Sequence, residues 1–117
     1  MATTIYGFKA CDTVRKARAW LDKNRVEHNF FDYRVDQLDK KTVEDWFKRA
    51  GWETVFNRAS TAFRELPEEV QAGLNEAKAK ALILANTNLI KRPVLDTGKT
   101  LTFGFKPETY AALLSVH

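Results

Sequence analysis

Two short apolar runs, Thr3 to Phe8 and Asn29 to Val35, enclose one amphipathic stretch from about Asp12 to Asn24. Within that stretch Val14, Ala17, Ala19, Trp20 and Leu21 recur at helical spacing, and Asp12 or Thr13 is placed to cap the first turn. Strand, helix of about a dozen residues, strand is a βαβ unit. Its two strands must run parallel, joined by a right-handed crossover. The pattern places the chain among α/β folds and fixes the direction of its first two strands.

The middle of the chain changes character. Asp39 to Ala50 carries a cap, the helical spacing Val43, Trp46, Phe47, Ala50, and Gly51 as a stop. Trp52 to Leu66 is irregular, with a polar, turn-like Asn57-Arg58-Ala59-Ser60-Thr61. Pro67-Glu68-Glu69 opens another helix, and Ala77 to Leu84 is helical up to Asn86-Thr87-Asn88. Trp46, Phe47, Trp52, Phe56 and Phe63 read as the core of this helical segment rather than as a stacking platform. Val94 to Asp96 then returns to strand. Thr97-Gly98-Lys99 turns the chain, Thr100 to Phe105 pairs back as a hairpin, and Pro107-Glu108 opens a last helix to about Val116. The order βαβ, helical insertion, ββα is that of an α/β chain with a thioredoxin-like fold. A mixed four-stranded sheet flanked by helices is expected from about 1–36 and 89–117. A helical subdomain is inserted at about 37–88, all within a single domain of 117 residues.

Composition narrows the classes of function. The net charge of +4 is spread among 15 acids without a block of like charge, which argues against a nucleic-acid partner. A single cysteine allows no disulfide within the chain and fits a reducing compartment. With no signal-peptide core and no apolar run of membrane-spanning length, the expectation is a cytoplasmic monomer with no membrane partner. His28 and His117 are far apart and lack companion cysteines, so no metal site is expected. No bound cofactor is expected. A glycine-rich phosphate loop and paired carboxylates are both missing from the sequence.

The chemistry centres on Cys11, which falls where the first strand turns into the first helix. The first amides of a helix lack internal partners and make its start electropositive, which favours a thiolate over a thiol. Lys9 and Arg15 add positive charge close in sequence, and Thr13 lies in the first turn. Arg15 stands about one helical turn beyond the cysteine. Arg92 before Pro93, Arg58 in the irregular loop and Lys106 before Pro107 are further cations that could meet a thiolate or its anionic substrate. In α/β sheets ligands sit beyond the carboxyl ends of the strands, where Cys11 is expected.

The residues Ile5-Tyr6-Gly7-Phe8-Lys9-Ala10-Cys11-Asp12-Thr13-Val14-Arg15-Lys16-Ala17-Arg18, Asp32-Tyr33-Arg34, Gly51-Trp52, Asn57 to Arg64, Ile90 to Leu95 and Gly104 to Tyr110 together resemble the arsenate-reductase-like (ArsC/Spx) family, in its YffB-like branch. The match runs in order along nearly the whole chain. The resemblance implies that Cys11 is the nucleophile and that Arg92 is the arginine before a cis-proline, Pro93. It also implies that a family arginine aligns with Asn57 or Arg58 and another with Lys106, where lysine keeps the charge but loses the bidentate fork. The fourth position of a Cys-x-x-Cys switch is Val14, so any resolving thiol must come from another molecule.

The expected function is therefore a glutathione-dependent thiol reductase using one nucleophilic cysteine. Glutathione is the co-substrate, glutaredoxin a possible partner, and the substrate a small oxyanion or a thiol. Two alternatives stand beside it: a glutathione/glutaredoxin-dependent arsenate reductase, and an Spx-like transcriptional regulator that binds RNA polymerase.

Overall fold

The computed structural model describes residues 3–114. β1 (Thr4–Gly7) and β2 (Asn29–Asp32) pair in parallel, joined by α1 (Asp12–Lys23), as the βαβ pattern requires. β3 (Val94–Asp96) and β4 (Leu101–Phe103) complete a four-stranded mixed sheet of order β2-β1-β3-β4, with β3 antiparallel to both its neighbours. The last element of this unit is α7 (Pro107–Leu114). Its core gathers Ile5, Ala17, Leu21, Leu95 and Tyr110, all fully buried, with Trp20, Val26, Phe30, Phe105 and Leu114 packed around them. Burial of apolar surface on this scale is the main force holding α1 and α7 to the sheet.

Three boundaries differ from the sequence expectation, each for a local reason. The residue at the N-cap of α1 is Cys11 itself rather than Asp12 or Thr13. β2 stops at Asp32 instead of running to Val35, because the Asp32 carboxylate accepts the amides of Arg34 (2.9 Å) and Lys9 (3.1 Å) while its carbonyl takes those of Val35 and Asp36. Those bonds turn the chain before the ladder can extend. β4 is confined to Leu101–Phe103, since Thr100 is occupied with Thr97 in the turn and Gly104 adopts a positive φ of 86°. The expected extension of α7 to Val116 lies outside the described residues, as does His117.

The second compact unit, Leu38–Lys91, is helical. α2 (Lys40–Ala50) is capped by Asp39, whose carboxylate accepts from the Lys41 amide, and it ends at Gly51 with φ of 87°. The stretch read as irregular holds two single-turn helices, α3 (Trp52–Val55) and α4 (Thr61–Arg64). The second is capped by Ser60 through the Phe63 amide. α5 (Glu68–Ala72), α6 (Glu76–Ala85) and a 3-10 turn at Thr87–Leu89 follow. Trp46, Phe47 and Phe56 are buried with Val43, Val55, Ala79, Ile83, Leu89 and Ile90, while Trp52 and Phe63 are half-buried and meet Phe56 edge-on. No helix among the described residues is long and apolar enough to cross a membrane.

Gly7 closes β1 against α1. A Cβ built there would stand 2.6 Å from Cγ2 of Val14, which is itself fully buried and cannot retreat. Gly7→Ala is therefore expected to destabilise the fold by about 1–3 kcal/mol, the usual cost of overpacking. Urea denaturation of the variant measures it directly. A loss below about 0.5 kcal/mol would show that α1 shifts freely on the strand.

Candidate active site

The tight turn at the end of β1 places the cysteine. The Cys11 amide donates to the Phe8 carbonyl (3.1 Å), and the Cys11 carbonyl accepts from the Arg15 amide (2.9 Å), so the residue both closes the turn and starts α1. Asp32 fixes this turn from the neighbouring strand. One of its carboxylate oxygens holds the Lys9 amide and the other the Arg34 amide, tying the loop that carries the thiol to the loop that follows β2.

Cys11 is half-buried. Burial alone would push its thiol up. The amide of Val14, the Arg92 guanidinium beside the sulfur and the amide of Thr13 outweigh that effect, and the thiol titrates below its ordinary value. Both amides belong to the first turn of α1, where the helix start favours negative charge.

Around the thiol the side chains form one connected group. The Arg92 guanidinium lies 4.4 Å from the centroid of the Phe8 ring, and the Arg34 guanidinium 3.8 Å from the same centroid. Tyr33 meets Phe8 edge-on at 6.0 Å and donates its amide to the Gly7 carbonyl. Tyr33 is only 5% exposed, and its hydroxyl proton finds no acceptor among the described residues, since Arg92 beside it carries donors only. Burial pushes the Tyr33 phenol well above its ordinary value, and the nearby Cys11 adds to this, while Arg92 and Arg34 oppose it.

The cations singled out in the sequence are placed differently from one another. Arg92 joins the thiol, and the Arg92–Pro93 peptide bond is cis. Arg15 is paired with Asp12 on the exposed face of α1. Thr13 contributes its amide, and Lys9 contributes its amide to Asp32 while its side chain is exposed. Lys106 is exposed at the start of α7, where its carbonyl accepts from the Tyr110 amide. Asn57 and Arg58 belong to the helical unit. There the Asn57 side chain accepts from the Ala59 amide, and Arg58 stands 5.5 Å over Trp52. Phe8, Tyr33 and Arg34 carry no motif of their own chemistry. Two sequence signals point to them, their place in the segments that carry the family resemblance and their position at the carboxyl ends of the two parallel strands.

A parallel strand pair opening onto a helix-capping cysteine with an arginine at its side makes up the candidate site on a thioredoxin-like fold. The chain belongs to the ArsC family, whose model matches residues 6–113. Among solved structures it is similar to a YFFB protein (PA3664), with 49% identity and a TM-score of 0.90 over 95% of this chain and 97% of that one. An arsenate reductase (ArsC) related protein from Brucella melitensis is 43% identical with a TM-score of 0.79, covering 99% of this chain and 97% of its own. The global transcriptional regulator Spx of Streptococcus pyogenes is 30% identical over 96% of this chain and 84% of its own length. The fold alone is shared with a glutaredoxin from Archaeoglobus fulgidus, at 17% identity and a TM-score of 0.52 over 97% of this chain and 87% of that one.

Proposed function

We propose that this protein is a glutathione-dependent thiol reductase working through Cys11 alone. The observation that carries the reading is a helix-capping thiol beside the Arg92 guanidinium, which favours its ionisation, in a chain whose sequence contains no second cysteine. In the first step the Cys11 thiolate attacks the glutathionyl sulfur of a mixed disulfide. The Cys11–glutathione disulfide forms, the old S–S bond breaks, and the substrate leaves as a thiolate that takes a proton from water. A glutathione thiolate then attacks the glutathione sulfur of the adduct, releasing oxidised glutathione and regenerating the Cys11 thiolate. One substrate disulfide is reduced at the expense of glutathione, and electrons balance without a bound cofactor. Arg92 lowers the cost of charge on Cys11 as nucleophile and as leaving group alike.

Mass spectrometry after treatment with oxidised glutathione tests the reading. The expected result is a single glutathione adduct on Cys11 that reduced glutathione removes. A wild-type protein that takes no adduct faster than its Cys11→Ser variant does would end it. Two family likenesses keep other readings in view, and each has its own assay. Arsenate turnover with glutathione and glutaredoxin above the Cys11→Ser background would support an arsenate reductase, as the name of the Brucella relative suggests. Recovery of RNA polymerase by the Cys11→Ser variant would support a regulator like Spx.

A further inference from the structure

Tyr33 stands where a phenylalanine would fill the same space. Its ring meets Phe8 edge-on at 6.0 Å and is only 5% exposed, so packing accounts for the ring and leaves the hydroxyl unexplained. A buried hydroxyl whose proton has no acceptor among the described residues costs stability. The oxygen has a neighbour all the same, because the Arg92 guanidinium lies beside it.

The sheet register explains why the two meet. β1 and β2 pair with Gly7 opposite Asp32, and β1 and β3 with Tyr6 opposite Val94. Continued past the strand ends, the first register sets Tyr33 against Phe8 and the second sets Arg92 against the same residue. The contacts agree, since the Tyr33 ring and the Arg92 guanidinium, 4.4 Å from the centroid, both lie on the Phe8 ring. The Cys11 amide donates to the Phe8 carbonyl at 3.1 Å, so the thiol stands on the same turn.

We propose that Tyr33 is a positioning residue for Cys11, its phenol oxygen drawing one arm of the Arg92 guanidinium so that another arm faces the sulfur. The inference rests on the reading of Cys11 as the reacting thiol and adds the group that holds its arginine in place.

The chemistry of the two partners supports this. A guanidinium carries several N–H donors in a planar, rigid fork, so one plane serves an oxygen and a sulfur together, alongside any further partner of Arg92. The groups that act on the sulfur are Arg92 and the amides of Val14 and Thr13, so the route from Tyr33 to the thiol runs through Arg92. The charged groups that face the phenol are Arg92, Cys11 and Arg34. Burial keeps the phenol proton in place well beyond the range in which the thiol titrates, so the oxygen is a neutral acceptor throughout.

The test is the pH profile of Cys11 alkylation by iodoacetamide in the full chain, measured for wild type, Tyr33→Phe, Arg92→Met and the double variant. Tyr33→Phe keeps the ring on Phe8 and removes only the oxygen. It is expected to slow alkylation at neutral pH about threefold and to move the midpoint upward by about half a pH unit, within the loss that Arg92→Met produces. In the Arg92→Met background the same substitution is expected to change nothing further. Stability should run the other way: urea denaturation of Tyr33→Phe at neutral pH is expected to match or exceed wild type. Tyr110→Phe, which removes a buried hydroxyl from the core, is expected to leave the alkylation profile alone.

A wild-type profile in Tyr33→Phe overturns the proposal. So does an equal shift with and without Arg92, which would mean that the hydroxyl acts on the sulfur directly, or an equal shift in Tyr110→Phe. A Tyr33→Phe protein that unfolds or loses stability overturns it as well, since the oxygen would then be structural. Failure of the reductase reading is a separate result: oxidised glutathione leaves no adduct on Cys11, while iodoacetamide still separates Tyr33→Phe from wild type.

Discussion

Replacing Arg92 by methionine is expected to slow alkylation of Cys11 by iodoacetamide at neutral pH by roughly three- to tenfold, and to move the midpoint of the pH profile upward. That range is what one partly exposed charge contact is worth, about 1 kcal/mol or slightly more. The cause is visible in what faces the sulfur. Burial opposes ionisation, and the amides of Val14 and Thr13 remain in the variant, so the thiol keeps part of its activation and loses the share that Arg92 supplies. The sign of the linkage follows. A folded thiol that titrates below its unfolded value contributes stability at pH above the ordinary thiol pKa. That contribution is lost as pH falls through the folded value. Arg92→Met should therefore narrow the difference in stability between alkaline and neutral buffer, and Cys11→Ser should abolish that part of it. An alkylation profile identical in wild type and Arg92→Met would mean that the helix start alone activates the cysteine, and the thiol-guanidinium pair would lose its role in both chemical steps.

The sequence made most of the sheet legible because its signals there are local. Val14, Ala17 and Leu21 are buried at the helical spacing that marks them, and Val94 to Asp96 forms the strand that its apolar run predicts. The boundaries that moved depend on contacts between segments distant in the chain. β2 ends at Asp32 because its carboxylate reaches back 23 residues to the amide of Lys9, a bond no pattern in Asn29 to Val35 announces. The irregular stretch after Gly51 hid two single-turn helices, since Trp52–Val55 and Thr61–Arg64 are too short to show a period.

The site was legible to the same extent. Cys11 stands out by type and position, and Arg92 by its place before Pro93. By contrast, Arg15 follows Cys11 at helical spacing, yet its guanidinium is paired with Asp12. Phe8 and Tyr33 look in sequence like ordinary strand aromatics. What sets them apart is three-dimensional, a ring shared by two guanidiniums and a buried hydroxyl near a thiol. Residue type does not encode that convergence; parallel pairing of β1 with β2 creates it, by bringing Gly7 opposite Asp32.

Alkaline unfolding is expected to be steep, and two tyrosines account for it. Tyr110 is fully buried in the core between Trp20 and Phe105, and Tyr33 is buried behind Phe8. Burial raises both phenols well above their ordinary value, with nothing opposing it at Tyr110 and with Arg92 and Arg34 opposing it at Tyr33. A group whose folded pKa is raised contributes stability that is fully present below its unfolded pKa, about 10 for tyrosine. That stability is lost as pH climbs toward the folded value. Above about pH 10 the unfolded chain releases two phenolic protons that the folded chain retains, so unfolding free energy should fall by about 2.7 kcal/mol per pH unit, half from each ring. Urea titrations at successive alkaline pH values measure the slope. Tyr110→Phe should halve it, because phenylalanine keeps the ring contacts and has no proton to lose. Near neutral pH the same variant should match the wild type or exceed it by about 1 kcal/mol, since the hydroxyl it removes is buried with no hydrogen-bond partner among the described residues. A Tyr110→Phe protein whose alkaline slope equals that of wild type would show that the core opens to solvent before the phenol ionises. The packing of α7 against the sheet would then be looser than the burial of Tyr110 implies.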